Sequence, residues 1–321
     1  MTDSLDPSDT LDQLIDAAAD DIEPERRALF ERFAACLLRG VDTHHIGGEP
    51  VLAAMAAEAF EWIGRRAPDE TRVRVRNPLD RPGHTVIEIL RDDQPFIVDS
   101  LRLEVRRRGV QERNVIHPLL PVERDAQGRL SDILETTNGI SLESYVYVEI
   151  VPALRDEAAC EELAASLRQV MGWISELTSD HRRMIMAIRE LMANLEFASP
   201  AIEGGKERAD KVRRFLDWIA DGRFVFVGMR RYQLDEVEGE FQVRIEPETG
   251  LGMWRDDSTS RLFEPRRGED VPSDLREELE DRRIILISKS YMESRIHRHG
   301  RLDRIMVKEH DDKGRVTGFT I

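Results

Sequence analysis

Hydrophobic residues in the first 70 positions recur every three or four residues, a spacing that predicts amphipathic helices. We expect three helices, with apolar faces made of Leu11, Leu14, Ile15 and Ala18, then Leu29, Phe33, Cys36 and Leu37, then Val51, Met55, Ala59, Trp62 and Ile63. Pro24 near the first turn and Gly40 after the last turn indicate the bounds of the second helix. Stripes of this kind are typical of a hydrophobic core rather than of a cofactor site.

From about residue 72 the hydrophobic period changes from that of a helix to that of a strand. RVRVR at 72–76 and HTVIEILR at 84–91 alternate, and the second segment is rich in β-branched residues. A turn at 92–95 follows, and helical spacing then returns in Phe96, Ile97, Leu101 and Val105 as far as Gly109. These patterns predict a strand followed by a helix.

Two further strands and a second helix complete this region. Residues 114–125 predict a strand that is bulged or at a sheet edge, because Pro118 and Pro121 cannot donate backbone hydrogen bonds. SYVYVEIVP at 144–152 alternates most clearly, and a helix begins near Asp156. The predicted order is therefore strand, helix, strand, strand, helix.

This order predicts a compact layer over residues 84–177. We expect the strands at 84–91 and 144–151 to be neighbours in the centre of one sheet, with the helices at 95–109 and 156–175 covering one face. Because alternate residues of a strand face opposite ways, Tyr145 and Tyr147 should point away from Val146 and Val148.

The helical pattern continues to residue 198 with one break near Thr178–Ser179. A helix over 156–198 would reach about 60 Å at 1.5 Å per residue, too long for the flank of one small sheet, so we expect it to connect two domains. Ser199–Pro200 and Gly204–Gly205 then indicate a linker.

The remaining residues open with a helical pattern at 206–221 and continue with strand patterns. These cover 224–234, 241–247, 283–290 and 303–310, with turns at Glu238–Gly239, Gly250 and Lys313–Gly314. The last residues resemble the beginning of another strand, so we expect a longer parent chain. The patterns predict an α+β fold in four parts: an acidic helical region at 1–70, a first domain at 72–178, a connecting helix and linker at 179–205, and a second, mainly antiparallel domain at 206–321.

Composition and charge exclude several classes of protein. The net charge is −16, with about 16 acidic and 6 basic residues in the first 70, and such a field disfavours nucleic-acid binding. The longest apolar stretch, 51–63, is interrupted by Glu58 and Glu61, so no membrane span is expected. The acidic N-terminus has no signal-peptide pattern, and Cys36 and Cys160 are too few for a disulfide framework. These features predict a cytoplasmic protein.

Two short motifs resemble parts of a nucleotide site and of a metal site, but neither motif is complete. Gly250-Leu251-Gly252 resembles the start of a dinucleotide fingerprint, but Arg255 stands where the third glycine would be, which favours a glycine turn between strands. His297 and His299 would share one face of a strand, a spacing seen for metal ligands, but a third ligand is not evident. We therefore predict no catalytic, cofactor-binding or metal-binding residues.

The turn after the first central strand carries the best candidates for an effector or interface site. Asp92, Asp93 and Asp99 could hold a hard cation, although acids at a strand-to-helix turn are equally expected from helix capping. The densest basic patch follows, and consists of Arg102, Arg106, Arg107 and Arg108. We interpret it either as a solvated helix face balanced by Glu104 and Glu112, or as an anion or subunit contact.

Long motifs in both halves resemble one known family. They are DDQPFIVDSLRLEVRRRGV, IHPLLPVERDAQGRL and ESYVYVEI, then FLDWIADGRFVFVGMRRYQL, ETGLGMWR and ISKSYMESRIHRHGRLDRIMVKEHDDKGRVTGF. Together they span roughly residues 72–320, and they resemble the N-terminal region of the large NAD-specific glutamate dehydrogenases of bacteria. The first 70 residues match that region only in general character.

This resemblance implies a regulatory rather than a catalytic segment. The family converts L-glutamate, NAD and water to 2-oxoglutarate, ammonia and NADH, and its catalytic and nucleotide-binding domains lie downstream of the matched region. The region itself is ACT-like, in agreement with the ferredoxin-like order predicted above, and the domain at 206–321 could be a second, truncated module of this type. ACT modules bind an amino acid where the first strand meets the first helix, and there Phe96 replaces the expected small residue, which favours a scaffolding role.

Three functions remain as alternatives. The first is a non-catalytic regulatory and oligomerisation segment whose partners are the catalytic part of the same chain and other copies of it. The second is an amino-acid sensor that binds a small effector at 92–99 or at an interface, with the possible effector or interface residues Asp92, Asp93, Phe96, Asp99, Arg102 and Arg106. The third is a separate hydrolytic or metal site around His297 and His299. No cofactor is expected in this segment, and NAD is expected in the parent enzyme.

Overall fold

The computed structural model describes residues 15–16, 18–19, 22–39, 48–134, 141–198, 200, 205–237, 240–255 and 273–321. The chain divides into two compact units, Met1–Met171 and Gly172–Ile321. The predicted four-part division remains a prediction. The mixture of helices and antiparallel sheets confirms the α+β class.

Two N-terminal helices pack together in the first unit, α1 (Arg27–Leu38) and α2 (Glu49–Ile63). Their predicted apolar stripes form the core: the rings of Phe30 and Phe60 lie 5.4 Å apart, and those of Phe33 and Tyr145 lie 6.3 Å apart. Of the first predicted helix, Ile15 and Ala18 are helical and buried, whereas Leu11 and Leu14 lie outside the described residues, as does Gly40. These helices therefore cover one face of the sheet described next.

The first unit contains a five-stranded antiparallel sheet. Its strands are β1 (Arg72–Arg76), β2 (Thr85–Asp92), β3 (Gln111–Ile116), β4 (Leu119–Leu120) and β7 (Glu143–Val151), in the order β1-β2-β7-β3 with β4 also paired to β7. Ile87 lies opposite Val148 and Ile89 opposite Val146, which confirms the predicted central pair. A ferredoxin-like module places a fourth strand after its second helix; here the preceding β1 pairs with β2 at that edge.

The two faces of this sheet carry different residues. Tyr145 and Tyr147 belong to the same core cluster as Phe33 and Leu90, facing α1 and α2, so their predicted orientation is confirmed. The opposite face is covered by α3 (Ile97–Arg107) and by the first part of α4 (Glu157–Ala198), as predicted. On this side the Ser166 hydroxyl of α4 donates to Glu104 of α3 at 2.6 Å.

The segment predicted as one strand at 114–125 is divided. Its residues belong to β3, β4 and the short β5 (Val122–Arg124), which pairs with β6 (Leu130–Ile133) in a separate hairpin. The interruptions fall at His117–Pro118 and at Pro121, because proline has no N–H to donate to the ladder. The predicted edge position is confirmed, since β3 is the outer strand and its pairing shifts between Glu112 and Asn114.

The second unit contains α5 (Gly205–Trp218), a π-helical turn at Ile219–Arg223, and α6 (Ser273–Glu280). Its main sheet has five strands, β9 (Arg231–Val237), β10 (Glu240–Ile245), β12 (Ile285–Glu293), β13 (Arg301–His310) and β14 (Val316–Thr320). They lie in the order β10-β9-β14-β13-β12. The mainly antiparallel prediction is confirmed for this sheet, although the predicted strand at 224–234 begins only with β8 (Gly228–Met229). The predicted turn at Glu238–Gly239 lies outside the described residues.

The core of this sheet packs against α6, and one buried lysine joins the two. Tyr232 stacks on Phe319 with ring centroids 4.7 Å apart, beside Leu279, Leu286 and Met306. Lys308 is 1% exposed, and its Nζ donates to the carbonyl of Leu279 at 3.0 Å. A cation at a helix C-terminus satisfies carbonyls that have no partner within the helix. Lys308 therefore fixes the end of α6 on the sheet.

Candidate effector and interface site

The predicted turn begins where β2 ends, and its acidic residues are held by neighbours within the chain. Asp92 lies opposite Glu143 in the ladder and forms an ion pair with Arg66. The N–H of Asp93 donates to the carbonyl of Leu142 at 2.8 Å, and its Oδ1 accepts from the Ser144 hydroxyl at 2.6 Å. The Asp93 carboxylate thus ties the end of β2 to the start of β7, and the Asp92 carboxylate ties it to Arg66, which follows α2.

Ser144 connects Asp93 to a histidine, but the arrangement is not that of a catalytic triad. His117 Nε2 lies 3.1 Å from Ser144 Oγ, and the same Oγ donates to Asp93. In a triad the histidine lies between the serine and the acid, whereas here the serine lies between the other two. Burial lowers the pKa of His117, and the nearby Asp93 opposes that shift. This cluster therefore fixes the turn and does not activate a nucleophile.

The middle of the turn is filled by its own side chains. Arg91 is buried and donates to the Met171 carbonyl at 2.8 Å and to the side-chain oxygen of Gln94. Burial lowers the pKa of Arg91 to about 10. Phe96 precedes α3 with a left-handed backbone, φ +72°, and is half-buried, whereas the next residue, Ile97, is 2% exposed and lies in the core.

The remaining predicted residues lie along α3. Asp99 is exposed in the first helical turn, where a negative charge stabilises the helix dipole. Arg102 Nε donates to Glu112 of β3 at 2.8 Å, and Arg108 pairs with the buried Glu104 at 3.3 Å. Arg106 is exposed and forms no ion pair with the described residues. The structure therefore groups Asp92 with Asp93, and places Arg102 and Arg106 on a separate, outward surface.

Sequence patterns missed the most buried ionic groups of this unit. Glu88 is 1% exposed and accepts from the Tyr145 hydroxyl at 2.9 Å and from Arg74 Nε at 2.7 Å. Burial, together with the Glu88 carboxylate, raises the pKa of Tyr145 well above its ordinary value. Glu88 is an exception in an apolar, alternating strand, and that exception is the one sequence signal that could have found this network.

The glycine motif of the second unit does not fit a nucleotide. Leu251–Gly252 forms β11, which pairs with β8, and residues 253–255 continue as a turn rather than a helix. The Gly252 N–H, which a pyrophosphate would need, donates instead to Asp180 Oδ2 at 2.9 Å. Burial of Asp180 raises its pKa, but the hydrogen bonds from Arg255 and Gly252 outweigh burial and hold the pKa below its ordinary value. The glycine-turn interpretation agrees with this geometry.

The predicted position of the two histidines is wrong. His297 and His299 lie in the loop between β12 and β13, not on a strand, and His297 has a positive φ of +64°. Within the described residues, no group of three or more His, Cys, Asp or Glu side chains is placed to hold a metal ion. Among the same residues, no helix is long and apolar enough to cross a membrane.

This chain is similar to glutamate dehydrogenases, both in a family model and in whole proteins. Residues 33–167 match the family model described as the ACT1 domain of glutamate dehydrogenase. An NAD-specific glutamate dehydrogenase of Halomonas elongata is 28% identical over 97% of this chain and 20% of its own length. Another from Pseudomonas aeruginosa is 30% identical over 83% of this chain and 16% of its own length. The chain thus spans about a fifth or less of the curated relatives that it matches.

Proposed function

Because residues 33–167 match the family model for the ACT1 domain of glutamate dehydrogenase, we propose that this chain is a non-catalytic regulatory and oligomerisation segment of an NAD-specific glutamate dehydrogenase. The observation that carries the proposal is the match of this family model to the chain from the second half of α1 to the first part of α4, which includes α2, the five-stranded sheet and α3. Likeness to NAD-specific dehydrogenases across nearly the whole chain supports it. We expect an N-terminal position in a cytoplasmic parent protein.

The proposed parent reaction is the oxidation of L-glutamate to 2-oxoglutarate and ammonia with reduction of NAD. NAD binding requires a phosphate-accepting turn at a helix N-terminus. The Gly250–Gly252 turn does not offer one, because Asp180 already accepts the Gly252 N–H. We therefore assign cofactor binding and chemistry to other parts of the parent protein.

An amino-acid sensor at 92–99 is the second candidate function. The turn is already occupied, since Asp93 accepts from Ser144 and Gln94 accepts from Arg91. A ligand there would have to displace hydrogen bonds that the folded chain already makes, at a cost of about 1–3 kcal/mol for each buried group left unpaired. The geometry of the turn therefore favours a structural role for these residues.

We expect the purified chain to show no glutamate dehydrogenase activity. Hydride transfer needs a bound nicotinamide, and the chain has no complete G-x-G-x-x-G motif. The measurement is NADH absorbance with L-glutamate and NAD, beside a full-length relative as the active control. Glutamate-dependent NADH formation that co-purifies with the chain through several columns would contradict the non-catalytic assignment.

We also expect the chain to self-associate, with a contribution that weakens as salt is added. Arg106 is an exposed cation on α3, while the first 70 residues carry about 16 acids against 6 bases, so we expect these oppositely charged segments to attract each other between copies. Each exposed pair contributes only about 0–1 kcal/mol, so apolar burial must supply most of the interface. Screening acts within about 10 Å at 0.1 M salt.

Sedimentation over a range of protein and salt concentrations tests this assembly. Arg106→Glu should weaken association at low salt, whereas Arg155→Glu, the same charge change at a side chain 75% exposed, should not. A strict monomer at high protein concentration and low salt would show that oligomerisation is carried elsewhere in the parent.

A further inference from the structure

The strand β12 lies at the outer edge of the main sheet in the second unit. Among the described residues it pairs only with β13, and it is 9 residues long without a proline. An edge strand presents unpaired backbone N–H and C=O groups, which are a template for a further strand. This edge lies outside residues 33–167, which match the ACT1 model. It is therefore an interaction surface that the family match does not cover.

The backbone of β12 divides its hydrogen-bonding groups between two sides. The Lys308 N–H of β13 donates to the Ile284 carbonyl at 2.8 Å, so the backbone groups of Ile284 point toward β13. In an antiparallel pair this direction alternates from one residue to the next, and the register stays regular from Ile285 to Lys289. The N–H and C=O groups of residues 285, 287 and 289 therefore point outward, to the open edge.

The side chains of the same three residues share one face of the sheet. Lys289 pairs with Asp303 at 2.7 Å on this face, and Ile287 lies opposite Ile305 of β13. The side chain of Ile287 is 56% exposed, although isoleucine is among the residues most often buried in folded proteins. Unpaired backbone groups and an exposed apolar side chain thus occur together at the middle of β12.

The other three sheet edges discourage a further strand. Arg72, Arg74 and Arg76 alternate along β1, so pairing with a second copy of β1 would set arginines opposite each other. The edge strand β3 has a register shift in its pairing with β7, and bulges of this kind twist an edge away from regular pairing. The exposed residues that the structure describes in β10 are the polar Gln242 and Arg244. The apolar, regular edge is that of β12.

Charge restricts how two copies of β12 can pair. The register shift after Lys289 limits regular pairing to residues 285–289. With Ile287 opposite its own copy, Lys289 faces Ile285 of the other chain, and no like charges meet. An axis at Ser288 or at Lys289 would set a lysine against Ile287 or against the other lysine. An axis one residue before Ile287 would set Lys289 against Arg283, and like charges directly opposite are destabilising.

We propose that two copies of this chain join along β12, antiparallel around a two-fold axis at Ile287, so that their two sheets continue into one. Residues 285, 287 and 289 of each chain exchange two hydrogen bonds with the residue opposite. An isologous contact of this kind closes with two chains and leaves neither β12 edge open. The proposal names an interface for the oligomerisation proposed above, and it rests on that part of the proposed function.

A cysteine at position 287 tests the register. Hydrogen-bonded residues of an antiparallel pair have Cα atoms about 5.5 Å apart, and a disulfide spans about 4.4–6.8 Å. We expect Ile287→Cys to give a covalent dimer on mild oxidation that dithiothreitol reverses. Tyr291→Cys is the matched control, because that side chain is 90% exposed and yet its two copies would lie more than about 20 Å apart along the strands. The unmodified chain, with Cys36 and Cys160, gives the background.

A charge at the axis tests whether this contact holds the chains together. Ile287→Lys sets two ammonium groups opposite each other, and we expect the dissociation constant from sedimentation equilibrium to rise at least about tenfold. Met186→Lys, the same kind of change at a residue of α4 that is 62% exposed, should leave the dissociation constant unchanged. Association of the unmodified chain through β12 should persist in high salt, where the contribution of Arg106 is screened.

Equal cross-linking of Ile287→Cys and Tyr291→Cys would overturn the proposal, as would a dissociation constant that Ile287→Lys leaves unchanged. The cross-linking result stands even where Ile287→Lys fails to fold, because Ile287→Cys introduces no charge. Association that Arg106→Glu abolishes and Ile287→Lys does not would reject this interface while supporting the proposed oligomerisation. None of these results bears on the non-catalytic assignment, which the NADH measurement tests.

Discussion

Replacement of Glu88 with alanine should lower the free energy of unfolding of the first unit by about 3–5 kcal/mol, because it leaves buried partners unpaired. Glu88 is 1% exposed and accepts from Tyr145 and from Arg74, whose Nη2 lies 2.6 Å away. Without the carboxylate, the Tyr145 hydroxyl keeps its burial and loses its acceptor. The guanidinium of Arg74 also loses its most buried partner.

Glu58 provides a matched control for this change. Glu58 pairs with Arg74 at 3.5 Å and with Arg76 at 2.6 Å, and Arg76 also lies 3.5 Å from Glu88, but the Glu58 side chain is 43% exposed. Glu58→Ala should therefore cost about 0–1 kcal/mol. Hydrogen exchange of the amides in β2 and β7 gives the free energy for this unit directly. Equal losses for the two variants would show that burial of Glu88 does not determine its contribution.

Gly252→Ala should destabilise the second unit by about 3 kcal/mol or more, since it combines backbone strain with overpacking. Gly252 has a φ of +61°, and a Cβ there would lie 2.5 Å from the Val227 carbonyl oxygen and 2.7 Å from Met184 Cε. A backbone oxygen cannot move aside as a flexible side chain can. Relief by a local shift would also disturb the hydrogen bond from Gly252 N–H to Asp180.

Gly222→Ala separates the two contributions. Gly222 also has a positive φ, +73°, but a Cβ would meet nothing within 4 Å. We expect only the cost of the left-handed conformation, about 1–2 kcal/mol. The measurement is hydrogen exchange of β13, the strand between β12 and β14. A loss for Gly252→Ala no greater than for Gly222→Ala would mean that the close approach to Val227 is relaxed at little cost.

The central strands could be predicted from the sequence because their residue types alternate with the two-residue period of a β-strand. SYVYVEIV places every second residue on one face, so the separation of Tyr145 from Val146 follows from alternation alone. The segment 114–125 was harder, because its hydrophobic run is continuous across Pro118 and Pro121. The hydrophobic period does not depend on whether a residue has a backbone N–H, so it does not reveal the donors that Pro118 and Pro121 lack. Without those donors the segment is divided into β3, β4 and β5.

The polar sites were less predictable, because they depend on contacts distant in sequence. Arg66 contacts Asp92 and Glu143 only when α2, β2 and β7 are packed together. No feature of the sequence RRAP at 65–68 indicates that one of its arginines is buried. Local patterns did identify the turn at 92–99, because a strand signal changes there to a helix signal. They could not show that Ser144 and Arg91 already occupy its hydrogen-bonding groups.

The buried carboxylates also affect the accuracy with which the sheet assembles. A slip of β7 by two residues keeps the same side chains on each face, so hydrophobic burial alone discriminates weakly against it. In the observed pairing Glu88 lies opposite Tyr147. Moved by two residues in one direction, Glu88 would lie opposite Glu149, another carboxylate that is only 3% exposed. Two like charges facing each other without water are strongly unfavourable. The two buried carboxylates therefore disfavour this misaligned pairing and favour the observed register of β2 and β7.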